Sequence, residues 1–320
     1  MKALALILLL GGPALAEVNS AAILAQRPPK TLAEFGFFDD AEAQIPAAGV
    51  VGYALASALF SDYADKDRFI YTPAPAPSAA EGVLAFPVGA AIVKTFRYGA
   101  RKVETRVLLH QEGGWKGFSY VWDESSGAAH LALAGADLDL QTDHGLVNYH
   151  VPNANQCKAC HIGPDKAMAP IGPKLRNLNT GDQLARLLGA GVIGPVPAAA
   201  PALPDYRDET LPIDQRARAY LDINCGHCHA PGHPGDTSGL YLTWEEADPL
   251  RLGIHKRPVA AGKGSGQLEF DVVPGDPESS ILLYRLTSTD PGAMMPEIGR
   301  SMVHLEGADL IRAWIKGLEG

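Results

Sequence analysis

The chain has 320 residues and a formal net charge of −9, from 36 acidic against 27 basic side chains. That balance argues against nucleic acid and anionic membrane surfaces as partners, since both ask for clustered positive charge. With 34 glycines and 25 prolines much of the chain is expected as loop, and its length suits two or three domains.

At the N-terminus, Lys2, the apolar run Ala3 to Leu10 and the box Ala14-Leu15-Ala16 read as a cleavable secretory signal over residues 1–16. The apolar run is too short to cross a bilayer, and no later stretch reaches that length. No membrane span is expected in the mature chain, which would start at Glu17. Residues 17 to about 60 read as an irregular lead-in with short helices, punctuated by Pro28-Pro29 and Ala47-Ala48-Gly49. From about Phe69 to Val151 the pattern turns short and β-like. Strands are predicted from Ala90 to Phe96, Val103 to Leu109, Gly117 to Trp122, Ala129 to Leu133 and Val147 to Val151. Residues 17–152 are thus expected as an antiparallel sheet or sandwich, and they contain no cysteine.

All four cysteines then fall in two copies of one pattern. Gln156-Cys157-Lys158-Ala159-Cys160-His161 and Asn224-Cys225-Gly226-His227-Cys228-His229 are each C-x-x-C-H. Two thiols three apart can each add to one vinyl group of a haem, and the next residue then sets an imidazole under the iron. Two covalently bound haem c groups are therefore expected, one on Cys157 and Cys160 with His161, the other on Cys225 and Cys228 with His229. Zinc is a competing reading, but its paired motifs lie roughly 15–20 residues apart. Here 64 residues (161 to 224) separate the pairs. Zinc, a redox dithiol and structural disulfides all leave the trailing histidines unexplained. Haem c is attached after export in bacteria, so the leader and the motifs agree on a periplasmic location.

Past His161 come Gly163-Pro164, Gly172-Pro173-Lys174-Leu175 and a helix predicted around Thr180 to Leu188, an order similar to the first half of a class I cytochrome c. Gly189 to Pro204 reads as a Pro-rich linker closing a first haem segment, 153–204. In the remaining 205–320, Ile213, Ala217, Tyr220, Leu221 and Asn224 fall at helical spacing and lead straight into Cys225. Leu310, Ile311, Trp314, Ile315 and Leu318 form a second helical face, expected to cross the first. Asp276-Pro277 opens a third helix through about Leu286.

Met294-Met295-Pro296 sits between the last two. Haem c with His/Met ligation takes a thioether from a loop on the far side of the iron. Met295, 66 residues after His229, is the candidate, with Met294 in reserve. Two methionines filling core gaps are the ordinary alternative. For the first haem the sixth ligand is open. Met168 is expected at the haem edge, and His110, His130, His144, His150, His227, His233, His255 and His304 are available, His144 and His150 being nearest in sequence.

The order Leu59-Phe60-Ser61-Asp62-Tyr63-Ala64, Pro87-Val88-Gly89 with Lys94-Thr95-Phe96, Glu104-Thr105-Arg106, Trp115, Tyr120-Val121-Trp122, both haem motifs, Leu178-Asn179, Pro274-Gly275-Asp276-Pro277 and Met295-Pro296 resembles a family of uncharacterised di-haem c-type cytochromes. The resemblance covers nearly the whole mature chain. Pro87 to Lys94, Trp115 and Cys157 to His161 are also similar to β-sheet cytochromes of the c-prime-beta type. Those bind haem at the end of a sheet, often with five-coordinate iron. Their cross-linking lysine has no match here, so no catalytic residue is carried over. The resemblances imply an α+β chain, an N-terminal antiparallel β-rich domain followed by mainly α-helical cytochrome c-like haem segments. The function expected of two such haems is periplasmic electron transfer, with other periplasmic redox proteins as partners. The alternatives are a haem enzyme with an open first haem, acting on peroxide or a small nitrogen compound, and an electron-accepting subunit docked on a dehydrogenase.

Overall fold

The computed structural model describes residues 17–78, 82–259 and 261–319, so the leader expected over 1–16 lies outside the described residues. The lead-in holds α1 (Ser20–Leu24), a 3-10 turn at Leu32–Phe35, and a hairpin of β1 (Phe38–Asp40) with β2 (Ile45–Pro46). It is therefore partly stranded where only short helices were expected. Six strands then pair in sequence order, each antiparallel to the last: β3 (Val50–Gly52), β4 (Asp65–Tyr71), β5 (Ala91–Tyr98), β6 (Arg101–Gln111), β7 (Gly114–Asp123) and β8 (Ala128–Leu131). A separate hairpin of β9 (Ala136–Thr142) and β10 (Gly145–Val151) follows. All five predicted strands are present. β3 falls in the stretch read as an irregular lead-in, and two charged strands were also missed: β4 begins in the run Asp65-Lys66-Asp67-Arg68, and β9 alternates Asp137-Leu138-Asp139-Leu140. The charges of β4 are paired across the sheet, where Arg97 bonds Asp67 at 2.8 Å and Asp65 at 3.2 Å.

A period of two gives the sheet two unlike faces. On one, Phe69, Val93, Val107 and Tyr120 pack under Ile23 and Phe35 of the lead-in. On the other, Ile70, Ile92 and Leu108 meet Leu178, Leu187 and Ile193 at one end. At the other end Phe96 and Val121 meet Leu140 and Tyr149 of the hairpin. Between these apolar ends the register sets Arg68, Lys94 and Arg106 side by side on three neighbouring strands.

Residues 153–204 carry α2 (Ala154–Cys160), α3 (Leu175–Leu178) and α4 (Gln183–Gly189). The last starts three residues later than predicted, because the Gln183 side chain is held by Leu178 O at 2.8 Å and Ala54 O at 3.0 Å. The stretch expected as a linker is irregular but fastened down. Val192 O accepts from Ala76 N–H at 3.0 Å, Gly194 N–H donates to Ala76 O at 2.7 Å, and Leu203 N–H donates to Arg176 O at 2.9 Å. Val192, Ile193 and Leu203 are buried. It is a strap, and it gives residues 153–204 a core shared with the sheet.

The C-terminal third is built on α5 (Ile213–Asn224), α6 (Ile281–Thr287) and α7 (Leu305–Gly317). Ala217, Tyr220 and Leu221 of α5 pack with Leu283 of α6 and Ile311, Trp314 and Ile315 of α7. The Trp314 indole N–H donates to Asp214 at 2.9 Å, so α5 and α7 meet as the resemblance implies. The helix predicted from Asp276 to Leu286 is split. A 3-10 turn at Pro277–Ser279 ends at Ser280, whose extended backbone bridges to Phe270 before α6 begins.

Candidate functional site

The first C-x-x-C-H is set by a capped helix. Asn153 accepts from the Asn155 and Gln156 N–H groups at 3.0 Å, and the Gln156 side chain accepts from Asn153 N–H at 2.9 Å. Residues three apart share a helix face, so Cys157 and Cys160 project together from α2. The helix lies on β7 at Gly117, where a Cβ would stand 3.2 Å from Cys157 Cβ and 2.8 Å from Met168 Cε. Met168 thus packs beside the first cysteine, on the sheet. His161 caps the helix, and its Nδ1 lies 2.9 Å from the Ala169 carbonyl oxygen. That bond makes Nδ1 the donor and leaves the Nε2 lone pair free for a metal. Burial pushes the His161 pKa down to about 4, so the ring is neutral.

The second motif repeats this logic at the end of α5. Gly226 follows Cys225 because a Cβ there would lie 2.8 Å from Asp222 O and 3.1 Å from Leu242 O. His229 Nδ1 lies 3.2 Å from the Leu240 carbonyl oxygen, again leaving Nε2 free, and burial lowers its pKa. The motif is tied to the first segment through buried Arg176, which bonds Asp222 at 2.9 Å and also pairs with Glu245.

Each motif lines its own cleft. The first encloses about 1080 Å³, open to solvent, between Arg106, Leu108 and Gly117 of the sheet, the α2 thiols with His161, and Tyr220, Arg300 and His304 of the C-terminal third. The second encloses about 1770 Å³ and is lined by Cys225, Cys228, His229, Leu240, Leu282 and Arg285. The two clefts share a wall that includes Cys160, His227, Leu286 and Met295. Met294 lines neither. Met295 is held by its backbone: its N–H donates to Arg285 O at 3.0 Å, and its carbonyl accepts from Arg300 Nε at 3.0 Å.

All four thiols are unpaired. Among the described residues no three His, Cys, Asp or Glu side chains gather as a bare metal ion would need, so the cysteines stand as two pairs and not one cluster. Two thiols and one neutral imidazole with a free Nε2, opening on a largely apolar cleft edged by arginine, suit a covalently held haem in each place. Iron there would use Nε2 of His161 and of His229; Met295 lines both clefts.

The sequence reading missed a cluster of cations on the sheet, of which Arg106 lines the first cleft. Lys66, Lys94 and Arg106 lie 5.8, 5.1 and 4.4 Å from the Phe96 ring centre. Fully buried Glu104 takes a two-pronged bond from Arg106 at 2.7 and 2.8 Å and a third from Tyr149 at 2.8 Å. Burial, with Arg106 and Arg68 alongside, lowers Lys94 to about 7. Lys66 and Arg68 at alternate positions of β4, with Lys94 and Arg106, were the available signal.

The histidines sort themselves by their partners. His144 stacks on Tyr63 at 4.0 Å and lines neither cleft. His150 lines the first cleft, but its Nδ1 is bound to Asp137 at 2.6 Å and its Nε2 to Gln156 at 3.1 Å. The chain matches no protein-family profile, no curated protein and no solved structure. Among the described residues no helix is long and apolar enough to cross a membrane.

Proposed function

We propose that this chain is a di-haem c-type cytochrome of the periplasm, carrying electrons between other redox proteins. The observation that carries the reading is the shared wall: each C-x-x-C-H opens on its own cleft, and Cys160, His227 and Met295 border both. Bound haem would supply reversible one-electron exchange at iron, ferric to ferrous and back. The chain's part is to hold two such groups edge to edge, through Cys157 and Cys160 in one cleft and Cys225 and Cys228 in the other. The carbonyls of Ala169 and Leu240 orient His161 and His229, and Arg106 brings positive charge to the first cleft for haem carboxylates. Met295, fixed by Arg300, completes the second site.

A pyridine haemochrome assay on the exported chain tests it. Two haems per chain are expected, none of them released by acidic acetone, and one after both Cys225 and Cys228 are changed to Ala. Met295→Ala should abolish the weak far-red band of His/Met ferric haem and lower that haem's potential. A chain with zinc and no haem ends this reading.

A further inference from the structure

Cysteine and histidine spacing leaves the first haem without an assigned ligand opposite His161. Four histidines line the first cleft, and three have settled ring nitrogens. His161 is the motif histidine. His150 is bonded through both nitrogens. His304 meets Tyr220 OH through Nδ1 at 3.3 Å and lies flat on Phe60 at 4.2 Å, its Nε2 being 3.7 Å from Glu306.

His227 is different. Among the described residues, its Nδ1 is buried without a hydrogen-bond partner. A buried ring nitrogen with no partner is costly, so such a group calls for an explanation. Both His161 and His227 line the first cleft.

The motif itself decides which iron His227 can reach. It stands between Cys225 and Cys228, whose two bonds to the second haem would pin the backbone to that haem's edge, on the side of His229. From there it cannot pass to the opposite face of the same haem. The first cleft, which it also lines, is open to it.

We propose, on the two-haem reading above, that His227 is the axial ligand of the first haem opposite His161. The loop Cys225 to His229 would then serve both groups, with an imidazole for the first iron directly preceding a thioether to the second haem. The first iron would be closed by the chain, and the protein would be a relay in which each site holds part of the other. A haem enzyme with an open first iron is the outcome this excludes.

The test is spectroscopic. In the ferric holoprotein, near-infrared magnetic circular dichroism should show one bis-histidine and one His/Met charge-transfer band, and EPR should show only low-spin iron. The reduced protein should bind no carbon monoxide. His227→Ala, with its two haems verified by pyridine haemochrome, should turn one iron of the pair high-spin and take up one carbon monoxide per chain. Added imidazole should restore the low-spin signal. High-spin iron in the unaltered protein, or two low-spin irons in His227→Ala, would overturn the assignment while the two-haem reading stands. If the variant loses a haem, the bands of the unaltered protein decide alone. Fewer than two haems in that protein would instead remove the reading beneath it.

Discussion

The carboxylate of Asp62 accepts the backbone N–H of Ser301 on both oxygens, at 2.8 and 2.9 Å, across 239 residues of sequence. The Met302 N–H adds a bond at 2.8 Å and the Ser301 hydroxyl one at 3.1 Å. Ser301 adjoins Arg300, which holds the Met295 carbonyl, so this clamp joins the β-rich half to the loop between the two clefts. Hydrogen bonds to a charged acceptor contribute about 1.5–3 kcal/mol, and truncation leaves two backbone donors unpaired. Asp62→Ala should therefore cost about 2–4 kcal/mol in a denaturant titration, and Asp62→Asn less, because it keeps one acceptor oxygen. A change under about 0.5 kcal/mol, as at an ordinary surface site, would show that the clamp does not join the halves in solution.

The crossing of the first and last C-terminal helices leaves no space at Gly307. A Cβ there would lie 2.4 Å from the Tyr220 hydroxyl oxygen and 2.5 Å from its ring. Two effects compete in Gly307→Ala. Helix propensity favours alanine by about 1 kcal/mol, while forcing atoms into a packed contact costs about 1–3 kcal/mol. Atoms that close cannot be accommodated without moving the tyrosine, so the clash should win and lower the thermal midpoint. Adding Tyr220→Ala should make the pair much less costly than the sum of the single changes. Simple additivity would show that the two residues do not meet.

What was legible in the sequence is what local physics determines. Ile213 to Asn224 shows its helix by spacing, and β5, β6 and β7 show theirs by alternation. The haem motifs are local too, since thiol spacing is a property of six residues. Other features depend on partners far along the chain. Asp65 to Arg68 look like a solvated loop until Arg97 pairs with Asp65 and Asp67 across the sheet. The break at Ser280 is visible only with Phe270 alongside it. His227 is one of eight available histidines in the sequence, and nothing in its neighbours says that it borders both clefts.

His304 gives the fold a pH dependence of known sign. Burial pushes its imidazole down to about 4, the positive charge of Lys66 acting the same way and Glu306 opposing. The ring lies 4.2 Å from Phe60, 7° from parallel, with a side chain only 11 % exposed. In the unfolded chain histidine titrates near 6.5, so between about 6.5 and 4 the unfolded state holds more protons. Stability from this group is therefore complete above pH 6.5 and lost as pH falls towards 4. One proton sets a slope of up to about 1.4 kcal/mol per pH unit. Carboxylates titrate in the same range, so the comparison must be with a variant. His304→Phe keeps the stack on Phe60 and gives up the proton and the bond to Tyr220. It should be somewhat less stable at pH 7 but lose less stability between pH 6.5 and 4.5, by denaturant titration at each pH. Parallel curves for the two proteins would mean that His304 titrates normally and that its cavity admits water.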